Sequence, residues 1–241
     1  ARRHRRRQHA RRDRRIFGRN RYFAPLRLSG GWRGHAVLAS KRQMGGSRAA
    51  ATVLRESDWR AALAEPESLF AGEGVEVLKD SASSLVVRRR LRVGPHELDV
   101  YVKRSRRKHW RRALSDCLRP SRAGRAFRHG HELLTRRIAT ALPLAALERR
   151  RGPVLTDSIL ITEAVEGRDL HQFLNTWLSP ADAPDAALSP PEQRQLAQAV
   201  LWQLGRLLRR LHDSRFAHRD LKASNVLVRW RPGSRPELVL I

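Results

Sequence analysis

Towards the end of this 241-residue chain, Asp220, Lys222 and Asn225 stand at spacings of two and three. A carboxylate can accept a hydroxyl proton, and an ammonium two residues on can neutralise a phosphoryl group in transfer. A carboxamide five residues from the acid can hold a divalent cation. All three belong to the run His218-Arg219-Asp220-Leu221-Lys222-Ala223-Ser224-Asn225, which leads into the strand-like Val226-Leu227-Val228. A second lysine, Lys103, closes an alternating segment far upstream. Lysine fills only five of the 50 basic positions (41, 79, 103, 108 and 222). At that frequency, lysine at both 103 and 222 is roughly a one-in-a-hundred coincidence, so both positions ask for a point charge rather than a guanidinium fork.

Several elements have to hold these groups. Val75 and Val77, then Leu85 to Val87, bracket the small-residue loop Asp80-Ser81-Ala82-Ser83-Ser84 as a strand pair. Glu97 to Lys103 alternates with period two, which puts Leu98, Val100 and Val102 on one face and Asp99, Tyr101 and Lys103 on the other. Two basic helices are predicted next, Arg106 to Leu118 and Ser121 to about Arg137, the second with an apolar stripe of Phe127, His131, Leu134 and Ile138. A further strand pair flanks Arg149 to Gly152 and ends in Ser158 to Thr162. Asp169 can cap a helix carrying Leu170, Phe173, Leu174 and Trp177. Ser179 to Pro191, with four prolines, reads as a loop. Glu192 to His212 then forms the clearest helix, with Leu196, Val200, Leu204, Leu207 and Leu211 on one face. Ser57-Asp58-Trp59 starts a helix that ends near Pro66.

Composition narrows the class. Fifty Lys and Arg against 23 Asp and Glu give a net charge of +27. Hydrophobic content of 41% excludes a wholly disordered chain. The single cysteine, Cys117, excludes an internal disulfide framework and a Cys-rich metal site. No apolar run has the length of a membrane span. Residues 1–15 hold nine arginines and one aspartate, a self-repelling block expected to be a disordered tail without the apolar centre of a secretory signal. Aromatic content of 6% and the lack of an RNA-reading motif argue against a nucleic-acid partner.

The run from His218 to Asn225, placed after a long helix and before a strand, resembles the catalytic loop of the protein-kinase-like superfamily. The resemblance implies an α+β, bilobal kinase fold, with a small antiparallel-sheet N-lobe and a mainly helical C-lobe that is incomplete here. It assigns Asp220 and Lys222 as catalytic groups, Asn225 as a ligand of Mg2+, and Lys103 as the contact to the nucleotide's α- and β-phosphates. Thr162 to Gly167 resembles the hinge, where the Glu163 carbonyl and the Val165 N–H would read the adenine edge. In place of a G-x-G-x-x-G loop, Ser83 and Ser84 would cover the phosphates. Tyr101 stands where many kinases keep a small residue, so the base is expected to sit differently. Glu132 is the only carboxylate between Cys117 and Leu147, and so the one candidate there to pair with Lys103. It lies roughly 130° from the apolar stripe of its helix. The implied organisation is a 1–15 tail, a 16–73 N-terminal extension, a 74–162 N-lobe, a 163–167 hinge and a 168–241 partial C-lobe.

Residues 119–127 and 138–143, together with eleven Lys or Arg between Lys103 and Arg128, resemble the bacterial lipopolysaccharide kinase family. That resemblance implies an ATP-dependent phosphotransferase acting on a sugar hydroxyl of the lipopolysaccharide core. Its partners would be ATP, that core or another anionic glycolipid, and an anionic membrane surface, with the protein cytoplasmic and peripheral on the inner face of the membrane. A serine/threonine protein kinase and a non-catalytic kinase-like binding module stand as alternatives. The chain opens on Ala1, and it stops at Ile241 where a kinase would present a second metal-binding aspartate. It is therefore read as a fragment, inactive by itself.

Overall fold

The computed structural model describes residues 13–39, 53–106, 120–178, 188–214, 216 and 221–241. Residues 1–12 of the tail, the helix expected from Arg106 to Leu118 (Arg106 itself excepted), positions 179–187 of the proline-rich loop, and Asp220 lie outside them. The chain divides into two compact units, with the boundary between Ala164 and Val165; residues 136–141 belong to the second.

The first unit is built on a seven-stranded antiparallel sheet. Its strands are β1 (Phe23–Arg27), β2 (Trp32–Val37), β3 (Glu76–Ser81), β4 (Ser84–Val93), β5 (His96–Ser105), β6 (Pro143–Arg151) and β7 (Val154–Glu163). They lie in the order β1-β2-β6-β7-β5-β4-β3. The sheet is larger than the sequence pattern suggests, because β1 and β2 come from the stretch read as an N-terminal extension. They join through β2 and β6, with Gly34 opposite Leu147. A Cβ on Gly34 would stand 1.9 Å from the Ala146 carbonyl oxygen, so only glycine admits this approach.

Period-two alternation gives the sheet two different faces. Val87, Val93, Val100, Val102, Ala145, Leu147, Ile159 and Ile161 fill the core on one face, closed over by Trp59 and Leu63 at helix α1 (Glu56–Ala62) and by Leu69. The Trp59 indole N–H donates to the Val37 carbonyl at 2.8 Å, which satisfies the one polar atom this fully buried ring carries. On the other face Ile16, Val37, Ala123, Phe127 and Ala146 cluster, with helix α2 (Arg122–Thr135) lying across them. Ser121 caps α2 by accepting the Gly124 N–H at 3.0 Å. The helix buries Phe127 and His131 as its pattern predicts, but it ends at Thr135, and Arg137 takes a left-handed φ of 61°.

The second unit holds a three-stranded antiparallel sheet of β8 (Arg168–Asp169), β9 (Val226–Arg229) and β10 (Glu237–Leu240), in the order β10-β9-β8. Two helices accompany it, α3 (Leu170–Leu178) and α4 (Pro190–Asp213). Asp169 caps α3 by accepting the Gln172 N–H at 2.9 Å. Ser189 and Glu192 form a capping box on α4 whose first residues are Pro190 and Pro191, so the helix starts two residues earlier than its apolar pattern announces. Leu196, Val200, Leu207 and Leu211 are buried along it.

Candidate functional site

In the first unit, Lys103 lies near the end of β5, in register with Val86 of β4 and Leu160 of β7. Val100 and Val102 point into the core, so the alternation sends Lys103 to the α2 face. Solvent reaches its side chain, yet its pKa is lowered, first by desolvation and then by the charges of Lys79 and Arg122. Among the described residues no carboxylate pairs with it. A group of three cations, Lys103 on β5, Lys79 in the same cross-strand row two strands away on β3, and Arg122 at the start of α2, is electrostatically poised for a polyanion. Lys79 and Arg122 were not singled out from sequence. Lys79 was findable, as one of the five lysines, on the strand that enters the serine loop.

The serine segment is a tight hairpin. β3 ends at Ser81, β4 begins at Ser84, and only Ala82 and Ser83 turn the chain. Ser81 Oγ accepts the Ser84 N–H at 3.2 Å and donates to the Ser84 carbonyl at 3.0 Å. Ser84 itself is buried, its hydroxyl 3.4 Å from Ser81 Oγ. This corrects the expectation for Ser84, which burial withholds from a ligand; Ser83, its Oγ also 3.4 Å from Ser81 Oγ, stands half-buried at the tip. Glu132 also departs from expectation. It accepts from Arg128 at 2.8 Å and lies 3.3 Å from His129 Nδ1, both on its own helix, rather than pairing with Lys103. It is the first turn of α2, through Arg122, that reaches the lysine's surroundings.

The connector is fixed from its first residue. The Glu163 N–H donates to the Leu142 carbonyl and the Ala164 N–H to the Asp99 carbonyl, each at 2.9 Å. Val165 follows, half-buried, on the other side of the unit boundary. Gly167, with φ 150°, has the Val228 carbonyl 3.0 Å from where a Cβ would sit.

In the second unit, Lys222 is extended and exposed, and stands at the start of a 3-10 turn, Ala223–Asn225. The Asn225 N–H closes that turn onto the Lys222 carbonyl at 2.9 Å. Strand β9 starts at the next residue, so the sheet anchors the turn directly. The Ile241 N–H donates to the Asn225 carbonyl at 3.1 Å, which brings the end of β10 beside the asparagine. Residues 139–141 hold that strand end in turn. Leu240 N–H donates to the Ala139 carbonyl at 3.0 Å, and its own carbonyl receives Thr140 Oγ1 at 2.8 Å and the Ala141 N–H at 3.2 Å. Among the described residues there is no cluster of three or more His, Cys, Asp or Glu. The Asn225 carboxamide is nonetheless a hard oxygen donor of the kind Mg2+ prefers.

A lysine held in register within a sheet, then a connector, a long helix and a strand-anchored turn carrying lysine and asparagine follow one another as in a kinase of the protein-kinase-like fold. The model of the lipopolysaccharide kinase (Kdo/WaaP) family matches residues 81–241, well over half of the chain, and the chain belongs to that family. It is accordingly a kinase. A solved structure of WaaP in complex with acyl carrier protein is similar at 24% identity, covering 78% of this chain and 68% of that one with a TM-score of 0.47. No curated protein matches. Among the described residues no helix is long and apolar enough to cross a membrane.

Proposed function

We propose that this kinase transfers the γ-phosphoryl group of ATP to a sugar hydroxyl of the lipopolysaccharide core. The observation that carries the reading is the Lys222–Asn225 turn, anchored to β9 on one side and to the end of β10 on the other. Asp220, two residues before Lys222, orients the acceptor hydroxyl and takes its proton. Lys222 neutralises charge on the phosphoryl group in transfer, and Lys103 holds the α- and β-phosphates. Mg2+, held through the Asn225 carboxamide, would supply further neutralisation of the phosphate oxygens. The Glu163 carbonyl and the Val165 N–H read adenine from the connector.

In this reading residues 74–162 form the nucleotide lobe, 163–167 the hinge and 168–241 part of the acceptor lobe. Residues 1–15 are a tail that is already folded from Asp13, which is buried, and 16–73 an extension whose hairpin enlarges the first sheet. An acceptor carrying phosphates and carboxylates would be drawn to the basic stretch from Lys103 to Arg128, each nearby basic residue contributing about 1 kcal/mol at an anionic interface. In this reading the enzyme works on the cytoplasmic face of the membrane, where ATP is supplied.

The test is Asp220→Asn, in a protein carrying this chain, with transfer of radiolabelled γ-phosphate to lipopolysaccharide and ATP binding measured side by side. Transfer should vanish while ATP binding persists. Retained turnover would refute the assignment.

A further inference from the structure

The hairpin at Ala82–Ser83 is fastened from outside by a residue that the kinase resemblance does not assign. Arg106 follows β5, three residues after Lys103. Its N–H donates to the Ser83 carbonyl at 3.0 Å. Its guanidinium reaches back across the hairpin, with Nη1 2.5 Å from Asp80 Oδ1 and 3.1 Å from the Ser81 carbonyl. One residue thus ties the end of β5 to the strand entering the turn and to the turn itself.

The geometry points to Arg106 and Asp80 as positioning residues, a clasp that sets where the Ser83 tip stands relative to Lys103 and so tunes affinity for a nucleoside triphosphate. This rests on the reading of the hairpin as the phosphate cover. A glycine-rich loop moves freely, whereas this hairpin has internal serine bonds and an arginine strap. Neither clasp partner needs to touch the nucleotide. Both side chains are largely solvent-exposed, so the pair adds little to global stability. Its effect should therefore appear in ligand binding rather than in the unfolding midpoint.

The sign of one substitution separates the clasp from plain electrostatics. Asp80 is an acid close to the proposed phosphate cover, and if it acted only by its charge, Asp80→Asn would tighten ATP binding. If it holds Arg106, the same change releases the hairpin and weakens binding. Titration calorimetry of a protein carrying this chain with ATP, and with adenosine as the phosphate-free control, provides the test. Asp80→Asn and Arg106→Gln should each weaken ATP by about threefold. The exchanged pair Asp80→Arg with Arg106→Asp should recover affinity to within about twofold of the parent. Adenosine should bind all variants alike, and the unfolding midpoint should stay put. Unchanged or tighter ATP binding by Asp80→Asn, or an exchanged pair no better than the single variants, would overturn the clasp alone. Failure of the parent protein carrying this chain to bind ATP would overturn the phosphate-cover reading and the clasp with it.

Discussion

Lys103 and Lys222 are both single charges assigned to one reaction in the function proposed above, yet the protein holds them by different means. Lys103 sits on a ten-residue strand paired on both sides, so its direction is set by register with Val86 and Leu160. Lys222 sits in extended backbone before a three-residue turn and is exposed, its place set by the Asn225 bond and the strand that follows. A strand fixes a side chain's direction rigidly and surrounds it with other elements, here Lys79 and Arg122, which lower the lysine's pKa alongside desolvation. A short turn leading into a strand presents the group at the surface. Ground-state binding suits the first arrangement, and stabilisation of charge in flight suits the second.

Kinetics can break that contrast. Lys222→Met should lower kcat by about 10²–10³-fold with the KM for ATP little changed, because its charge is needed mainly in the transition state. Lys103→Met should raise the KM for ATP as well as lower kcat. Steady-state rates over a range of ATP concentrations decide the matter, and identical profiles for the two variants would erase the distinction. A structural substitution comes next in size. Gly34→Ala would drive a Cβ into the Ala146 carbonyl, parting β2 from β6 in the sheet that carries Lys103. A loss of about 3 kcal/mol is expected in denaturant unfolding. A midpoint near the parent's would mean that the β1–β2 hairpin is dispensable to that sheet.

What could be read in advance followed the range of the interactions. Alternation in Glu97 to Lys103 foretold the orientation of β5, and the stripe from Leu196 to Leu211 foretold α4, since both patterns are local and burial confirms them. The Lys222–Asn225 turn was legible too, because its residues lie within one short run. The β1–β2 hairpin was not, since its partner in β6 lies more than a hundred residues away and nothing in Trp32–Val37 names it. Ser84 was misjudged through a single boundary: the turn is two residues long, so Ser84 already belongs to β4 and faces inward. Glu132 failed for another reason. Helical geometry gave its angle, but neighbours three and four residues back, His129 and Arg128, already satisfy it.

Acid should separate the two regions by a smaller margin. His131 of α2 is buried against Phe23 and Phe127, with ring centroids 4.8 and 4.6 Å away. Its Nε2 has no hydrogen-bond partner. Burial lowers its pKa to about 3, opposed only by its hydrogen bond to the Pro143 carbonyl. Unfolded, the same ring titrates near 6.5. Between those values the unfolded chain binds the extra proton, so stability is fully present above about pH 6.5 and is lost as pH falls, levelling off near pH 3. At pH 5 the loss from this group should be about 2 kcal/mol. His35, also lowered chiefly by desolvation, adds in the same direction. His131 and His35 both belong to the unit that carries Lys103, so their penalty falls there. Denaturant unfolding of the parent and His131→Phe at pH 7 and pH 5 measures it. The phenylalanine variant keeps the aromatic contacts and has no proton to take up, so its stability should fall less between the two pH values than the parent's. Parallel losses in both proteins would assign the acid sensitivity to groups other than His131.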